Sequence, residues 1–307
     1  MDNFIINNKI LLILLVVIIL YIIYFYLVTY KNIEYFEEKQ KNNMCLEDFN
    51  KNLLFYSNNY YSLDKIHDKF YSMMVDDICF NEKIYKEQSK ILLDIINKNN
   101  TYNISLLIHG CMGVHLSEIL KNVSPKIKTI EMSDEMVKVC KNIYKNKDCE
   151  YIDKELFNYY RFNPHEFTHI INTNNYIYYY PIDKINKYFK NINEWLVPQG
   201  YFILNIIDDY LKIKTVHGNI NNNINFFNDN YNYELEVHDD NINNSMVLNE
   251  IITQKRDNKK RVNIHNFKKH KYNKIIELAR ENGFSITNII KSKYKNNYKY
   301  LVLKKIN

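Results

Sequence analysis

Short apolar runs alternate with helix-like segments through the middle of the chain, and this alternation restricts the fold more than any other feature of the sequence. The runs occupy residues 104–108, 127–132, 149–152, 167–173 and 201–207. Apolar residues at helical spacing separate several of these runs, and Ser133 has the character of a helix N-cap. Strands that alternate with helices form βαβ units. The sequence therefore predicts an α/β fold with a mainly parallel sheet and helices on both of its faces.

The pattern changes in the last third of the chain. Alternation typical of antiparallel strands is found over residues 212–216, 233–238 and 246–254. A helix is predicted over 271–282, with Gly283 as its left-handed cap. The chain then closes with a hairpin pattern over 286–290 and 298–303. We predict an antiparallel insertion over 209–265 and an antiparallel strand at the C-terminus.

The N-terminal segment 10–30 carries no charged residue and is bracketed by Lys9 and Lys31. As a helix it would be about 31 Å long, which matches the hydrocarbon core of a bilayer. A cleaved signal peptide would have a shorter apolar stretch and a cleavage site of small residues, and a buried core helix rarely stands at a terminus. We predict a transmembrane anchor over 1–31, a juxtamembrane spacer over 32–60 and the main domain over 61–307.

The orientation of this anchor follows from the lysines that flank it. Lys9 is the only basic side chain before the segment, whereas Lys31, Lys39 and Lys41 follow it closely. The positive-inside rule then places the C-terminal domain in the cytosol. The five cysteines are odd in number and show no paired spacing, which suits a reducing compartment. The sequence predicts a single-pass membrane protein whose large domain faces the cytosol.

Glycine is scarce, with five residues in a chain of 307, yet Gly110 and Gly113 stand together directly after an apolar run. Such a turn lets the backbone approach a ligand, and a helix N-terminus offers unpaired N–H groups. The spacing matches no P-loop, no dinucleotide G-x-G-x-x-G and no kinase loop. Glu131 ends the next run, where an acid can bind ribose hydroxyl groups. Either feature alone also fits a tight turn and a surface acid.

Together these segments resemble the class I S-adenosylmethionine-dependent methyltransferases. The segment LLIHGCMGVHL resembles the first motif of that family, and IKTIEMSDEMVKVCKN resembles its second strand with the ribose-binding acid. Three further segments are similar to the fourth-strand motif, the turn before strand five, and the last helix with strand six: EFTHIINTNNYIYYY, INEWLVPQGYFILNI and ARENGFSITNI. The resemblance implies a Rossmann-like, seven-stranded, mainly parallel sheet with an antiparallel C-terminal strand.

The same resemblance implies S-adenosylmethionine as the cofactor. The cofactor-binding residues that it implies are Gly110, Cys111, Gly113, Glu131, Met132, Asp153, Glu155, Leu156, Asn172 and Asn174. The glycine loop would line the methionine part, Glu131 would hold the ribose, and Glu155 or Asp153 would lie near the adenine with Leu156 beside it. Asn172 and Asn174 would lie close to the sulfonium. The glycine loop departs from the family pattern: aligned without a gap, His109 and Cys111 stand where the first and second glycines are usual, and with Gly110 as the first glycine the loop is one residue short.

The methyl acceptor carries no recognisable motif. Transfer from a sulfonium needs alignment more than acid–base chemistry, and His265 or His115 could deprotonate an acceptor, although a lone histidine is more often structural. The paired histidines lack cysteine partners at zinc spacing, so we predict no metal site. We expect a membrane-anchored methyltransferase acting on a small molecule, a lipid or a protein. The alternative is a catalytically inactive adaptor of the same fold.

Positive charge is concentrated near the C-terminus. Residues 253–307 contain 16 Lys and Arg against three Asp and Glu. Such an excess suits contact with RNA or with an anionic membrane surface, and it also suits a solvated surface in a lysine-rich chain. An adaptor would use this region to bind protein, RNA or anionic lipid.

Overall fold

A computed structural model describes Ile19, Tyr210, Ile213 and residues 59–61, 66–79, 82–98, 104–110, 126–142, 148–151, 162–172, 175–208, 223–226, 229–294 and 298–307. The chain divides into two compact units, Met1–Leu53 and Leu54–Asn307. Of the predicted anchor 10–30, only Ile19 is among the described residues. No helix in the described part of the chain is both long and apolar enough to cross a bilayer. The anchor therefore stays a prediction.

The strands are short and the helices lie mainly between them. In chain order the strands are β1 (Asn59–Tyr61), β2 (Ser105–His109), β3 (Lys126–Glu131), β4 (Cys149–Tyr151), β5 (Phe167–Asn172), β6 (Leu196–Ile207), β7 (Asn223–Phe226), β8 (Asp229–Asp240), β9 (Ser245–Gln254), β10 (Lys260–Lys268), β11 (Phe284–Lys291) and β12 (Tyr298–Lys305). The helices are α1 (Lys69–Cys79), α2 (Glu82–Lys98), α3 (Asp134–Asn142), α4 (Ile182–Trp195) and α5 (Tyr272–Glu281), with a 3₁₀ helix over Tyr176–Tyr179.

Within the described residues, seven strands form one sheet in the order β11-β12-β6-β5-β2-β3-β4. Strands β2 to β6 run parallel to one another, whereas β12 pairs antiparallel with both β6 and β11. Leu106 and Ile108 pack with α2 on one face, and Leu107 between them packs with α4 and α5 on the other. The parallel sheet, the helices on both faces and the antiparallel C-terminal strand are confirmed.

The insertion forms a second sheet, whose described strands have the order β1-β10-β9-β8-β7. The segments predicted over 233–238 and 246–254 lie in β8 and β9. Of the segment predicted over 212–216, only Ile213 is described, and it lies outside any strand. Strand β10 carries the insertion three residues beyond the predicted limit. The sequence did not reveal this strand because three of its four buried positions are polar, namely Arg261, Asn263 and His265, and only Phe267 is apolar.

Two predicted helix boundaries are confirmed by their hydrogen bonds and backbone angles. Ser133 Oγ accepts a hydrogen bond from the backbone N–H of Met136 at 3.2 Å, as an N-cap of α3 should. Gly283 follows α5 with φ of 78°, a conformation that side chains disfavour. Its N–H donates to the carbonyl of Arg280 at 3.0 Å. Ser133 therefore marks the beginning of α3, and Gly283 marks the end of α5.

Candidate functional site

Polar side chains meet where three adjacent parallel strands end. Strands β5, β2 and β3 lie side by side and finish at Asn172, His109 and Glu131. Gly110 follows β2 directly and donates its N–H to the carbonyl of Ile130 at 2.8 Å. Ligands of open α/β sheets bind at this carboxyl edge. The structure thus brings Gly110, Glu131 and Asn172 of the predicted site to one edge of the sheet.

Glu131 is the acid at this edge, and only 5% of its surface is exposed. Its Oε1 accepts hydrogen bonds from the backbone N–H of Met132 at 2.7 Å and from the hydroxyl group of Tyr176 at 2.9 Å. The hydroxyl group of Tyr180 lies 2.8 Å from Met132 Sδ. Burial, and secondarily the charge of Glu131, raises the pKa of Tyr180. The sequence predicted Glu131 and Met132 as site residues. It did not predict Tyr176 and Tyr180, because tyrosine is so common in this chain that residue type alone does not indicate a site.

His109 ends β2 in a buried hydrogen-bonded chain. Asn172 Nδ2 donates to the hydroxyl oxygen of Tyr188 at 2.9 Å, and that hydroxyl group lies 2.8 Å from His109 Nδ1. Because the oxygen accepts from Asn172, the Tyr188 proton points to His109. Burial lowers the pKa of His109 to about 3 and raises that of Tyr188. The imidazole is therefore neutral at physiological pH. The side chain of Asn172 is hydrogen-bonded to Tyr188 on α4.

The remaining predicted cofactor residues lie outside the described part of the chain. These are Cys111, Gly113, Asp153, Glu155, Leu156 and Asn174, and the alternative base His115 lies outside it as well. Their roles stay predictions. Within the described ranges, no group of three His, Cys, Asp or Glu side chains is arranged to hold a metal ion.

A second polar cluster joins the 3₁₀ helix to the insertion. The hydroxyl group of Tyr179 lies 2.7 Å from His265 Nδ1, and His265 Nε2 lies 2.8 Å from Glu250 Oε2. His265 and Glu250 are 1% and 0% exposed. The Glu250 carboxylate also accepts hydrogen bonds from Tyr71 at 2.6 Å, Tyr233 at 2.8 Å and Asn263 at 3.2 Å. We call Tyr179, His265 and Glu250 the tyrosine–histidine–glutamate chain.

The buried histidines predict how stability depends on pH. Burial lowers the pKa of His109 to about 3 and of His169 to about 4. In the unfolded chain both groups bind protons near pH 6.5, so the stability that they contribute is complete above that pH and is lost as the pH falls. The expected loss is about 1.4 kcal/mol per pH unit for each group between pH 6.5 and about 4.

Urea unfolding at pH 7 and pH 4.5 measures this loss. His109→Gln is expected to reduce the difference between the two pH values by about 2–3 kcal/mol, because glutamine does not titrate there. His238→Gln is the control, since His238 is exposed on β8. An unchanged pH dependence in His109→Gln would contradict the assignment of a buried, neutral imidazole.

The sequence matches no protein-family model, and no curated protein is similar to it. Solved structures, however, share its fold. An S-adenosylmethionine-dependent methyltransferase from Clostridium acetobutylicum is 20% identical, with 73% of this chain and 92% of that chain covered and a TM-score of 0.56. DesVI from Streptomyces venezuelae is 12% identical, with 73% and 93% covered and a TM-score of 0.59.

A third similar structure was solved with S-adenosylmethionine bound. It is CalS10, an amino pentose methyltransferase from Micromonospora echinaspora, 10% identical, with 72% of this chain and 91% of that chain covered and a TM-score of 0.58. These likenesses show that the chain shares its overall fold with these structures. The chain has the fold of the class I S-adenosylmethionine-dependent methyltransferases.

Proposed function

We propose that the chain is an S-adenosylmethionine-dependent methyltransferase that binds its cofactor at the carboxyl edge of β2, β3 and β5. The single observation that carries this proposal is the Glu131 carboxylate. It is buried at the end of β3 and held by Tyr176 and the Met132 N–H, in the strand order of the methyltransferase fold. A carboxylate fixed at this point can accept hydrogen bonds from two neighbouring ribose hydroxyl groups.

The described residues fit this cofactor. Gly110 has φ of 92°, a conformation open to glycine, so the backbone at the end of β2 can lie close to a ligand. His109 beside it is neutral and places no positive charge near a cationic sulfonium. Asp153, Glu155, Leu156 and Asn174 lie outside the described residues and stay predicted cofactor residues. The fit therefore rests on a fixed carboxylate, a glycine turn and an uncharged neighbour.

The chemistry requires alignment of two reactants. S-adenosylmethionine supplies a methyl group on a positively charged sulfur, which a nucleophile displaces. Glu131 would hold the ribose, and the buried Asn172–Tyr188–His109 hydrogen bonds would keep the strand ends in place. Fixing both reactants in line converts a bimolecular step into an effectively unimolecular one.

We propose a small molecule as the acceptor. CalS10 is named as an amino pentose methyltransferase, and KedS8 from Streptoalloteichus, 8% identical with a TM-score of 0.55, as a sugar N-methyltransferase. At identities this low, the acceptors named for those two proteins are not assigned to this chain. They support the proposal only by showing that the fold accommodates small acceptors. A lipid or protein acceptor would bind at the same edge.

Calorimetric titration tests the proposal. The full-length chain is titrated with S-adenosylmethionine, with S-adenosylhomocysteine and, as a control for adenine binding alone, with ATP. We expect saturable binding of the first two and none of the third. Absence of binding to both methionine derivatives would reject the enzyme and favour the inactive adaptor of the same fold.

We also propose that residues 10–30 anchor the chain in a membrane, with the domain in the cytosol. The uncharged length of that segment and the lysines after it support this proposal. The basic region 253–307 would contact anionic lipid, although Arg261 and Lys305 within it are buried. Retention of the full-length chain in membranes washed with alkaline carbonate is expected. Release into the supernatant would contradict the anchor, and salt-sensitive binding to RNA but not to anionic vesicles would reassign the basic region.

A further inference from the structure

One turn of 3₁₀ helix connects the proposed cofactor acid to the tyrosine–histidine–glutamate chain. Its first residue, Tyr176, contacts Glu131, and its last, Tyr179, contacts His265. Residues three apart in a 3₁₀ helix share one side and lie about 6 Å apart along its axis. Tyr179 is therefore about one helical turn from the residue that holds the Glu131 carboxylate. That places it beside the edge where methyl transfer would occur.

The hydrogen bonds set the direction in which a proton can move through this chain. Glu250 receives hydrogen bonds from Tyr71, Tyr233 and Asn263 as well as from His265, which suits an ionised carboxylate. His265 Nε2 then carries the proton that faces Glu250, and Nδ1 is left as an acceptor. The Tyr179 hydroxyl group, 2.7 Å away, donates to Nδ1. A proton can thus pass from Tyr179 to His265, where the carboxylate stabilises the imidazolium.

We propose that Tyr179, His265 and Glu250 form a proton relay that removes a proton from an amine acceptor before its methylation. This inference rests on the function proposed above. Tyr179 is the residue that touches the acceptor, because it is only partly buried whereas His265 and Glu250 are enclosed. His265 and Glu250 act through Tyr179 and are positioning residues. The insertion, which supplies both, thereby becomes part of the acceptor site.

The relay consists of two proton transfers, and no electrons pass from one group to another. The acceptor's ammonium N–H gives its proton to the Tyr179 hydroxyl oxygen, and the Tyr179 proton passes to His265 Nδ1. The amine nitrogen keeps its electron pair, which is then available to form the new bond to the methyl carbon. Burial, with the charge of Glu250, raises the pKa of Tyr179 well above its ordinary value, so the phenol stays protonated and transmits a proton without storing charge.

An amine suits this relay better than an alcohol does. An ammonium group has an ordinary pKa near 10.4, about five units below that of bulk water, so its proton is far easier to remove than that of a hydroxyl group. The buried anion Glu250 also attracts a cation more than a neutral group. An imidazole–carboxylate pair is therefore matched to an ammonium, and it is a weak base for an aliphatic alcohol.

The surroundings keep the relay in place. Arg261 Nε donates to Asn263 Oδ1 at 2.9 Å, and Asn263 in turn donates to Glu250. Phe267 lies against the Tyr179 ring with centroids 4.8 Å apart in an edge-on arrangement. The titratable groups that face His265 and Glu250 from the neighbouring elements are Tyr179, Tyr71 and Tyr233. The charged Arg261 guanidinium also lies over the ring of Tyr71, 5.5 Å from its centroid.

The test combines cofactor binding with methyl transfer to named amines. Full-length protein and its Tyr179→Phe and His265→Gln variants are titrated with S-adenosylhomocysteine. Transfer of a radioactive methyl group to glucosamine, ethanolamine and spermidine is then measured from pH 6 to 9. We expect cofactor affinity within twofold of the unaltered protein in both variants. We expect kcat to fall about 10²- to 10⁴-fold, as when a general base is lost.

The pH profile separates the relay from a structural role. His265→Gln should change the shape of the pH profile of kcat, whereas a variant that affected only stability would lower kcat by the same factor at every pH. His238→Gln is the matched control, since His238 pairs with Glu236 on the same sheet but is exposed. No cofactor binding by the unaltered protein would overturn the proposed function and this inference together. Cofactor binding without methylation of any probe amine, or variants within threefold in kcat, would overturn the relay alone.

Discussion

Glu131→Ala is expected to weaken S-adenosylhomocysteine binding by about 10²- to 10⁴-fold if both ribose hydroxyl groups bind the carboxylate. Each hydrogen bond from a ribose hydroxyl group to a carboxylate contributes about 1.5–3 kcal/mol, and alanine removes every such bond. Glu131 is held at the end of β3 by Met132 and Tyr176, so the carboxylate needs little reorganisation when the ribose binds. Calorimetric titration of the full-length variant measures the change.

The control for this prediction is Glu277→Ala, which removes an exposed carboxylate on α5. It should leave the affinity unchanged. Glu131→Gln should show an intermediate loss, since its amide oxygen can still accept one hydrogen bond without charge assistance. Unaltered affinity in Glu131→Ala, with Tm also unaltered, would mean that Glu131 does not bind the ribose.

Asp68→Ala is expected to reduce the free energy of unfolding by about 3 kcal/mol. Asp68 Oδ2 lies 2.7 Å from Arg261 Nη1, and the Arg261 side chain is 0% exposed, so alanine removes a carboxylate that pairs with a buried guanidinium. The same aspartate caps α1, because its Oδ1 accepts the backbone N–H of Tyr71 at 2.9 Å. Asp68 is 32% exposed, and water that enters there limits the loss. Urea unfolding measures it.

Asp68→Asn distinguishes the two contributions. Asparagine keeps the cap and removes the charge, so it should be less destabilising than alanine by about 1 kcal/mol. A loss below about 1 kcal/mol in Asp68→Ala would contradict the view that this pair ties α1 to the insertion sheet. The result bears on function as well, because Arg261 also holds Asn263 against Glu250.

The parallel sheet was predictable because its signals are local. Apolar runs such as 104–108 and 167–173 reflect strands buried on both faces, and Ser133 and Gly283 marked helix boundaries by their own chemistry. Strand β10 was not predictable in the same way. Three of its four buried positions hold polar side chains, Arg261, Asn263 and His265, and only Phe267 is apolar. Their burial depends on partners far away in the sequence.

The residues of the candidate site likewise differ in whether local sequence signals or distant contacts identify them. Glu131 could be predicted because it ends a recognisable strand, and its position needs no distant partner. His265 was one of two candidate bases, but its role depends on Tyr179, 86 residues away, and on Glu250, 15 residues away. Tyr176 and Tyr179 lie among tyrosines that a biased composition makes common, so residue type alone could not distinguish them. Only the tertiary contacts did.

Amide hydrogen exchange with and without S-adenosylhomocysteine shows both whether the cofactor product binds and which segments it contacts. With ligand bound to the full-length chain, we expect slower exchange in peptides that contain Gly110, Glu131–Ser133 and the 3₁₀ helix Tyr176–Tyr179. Peptides from β11, at the far side of the sheet, should be unchanged. Protection confined to β11 and β12, or no protection at a concentration that saturates S-adenosylhomocysteine-binding methyltransferases, would contradict a cofactor site at the ends of β2, β3 and β5.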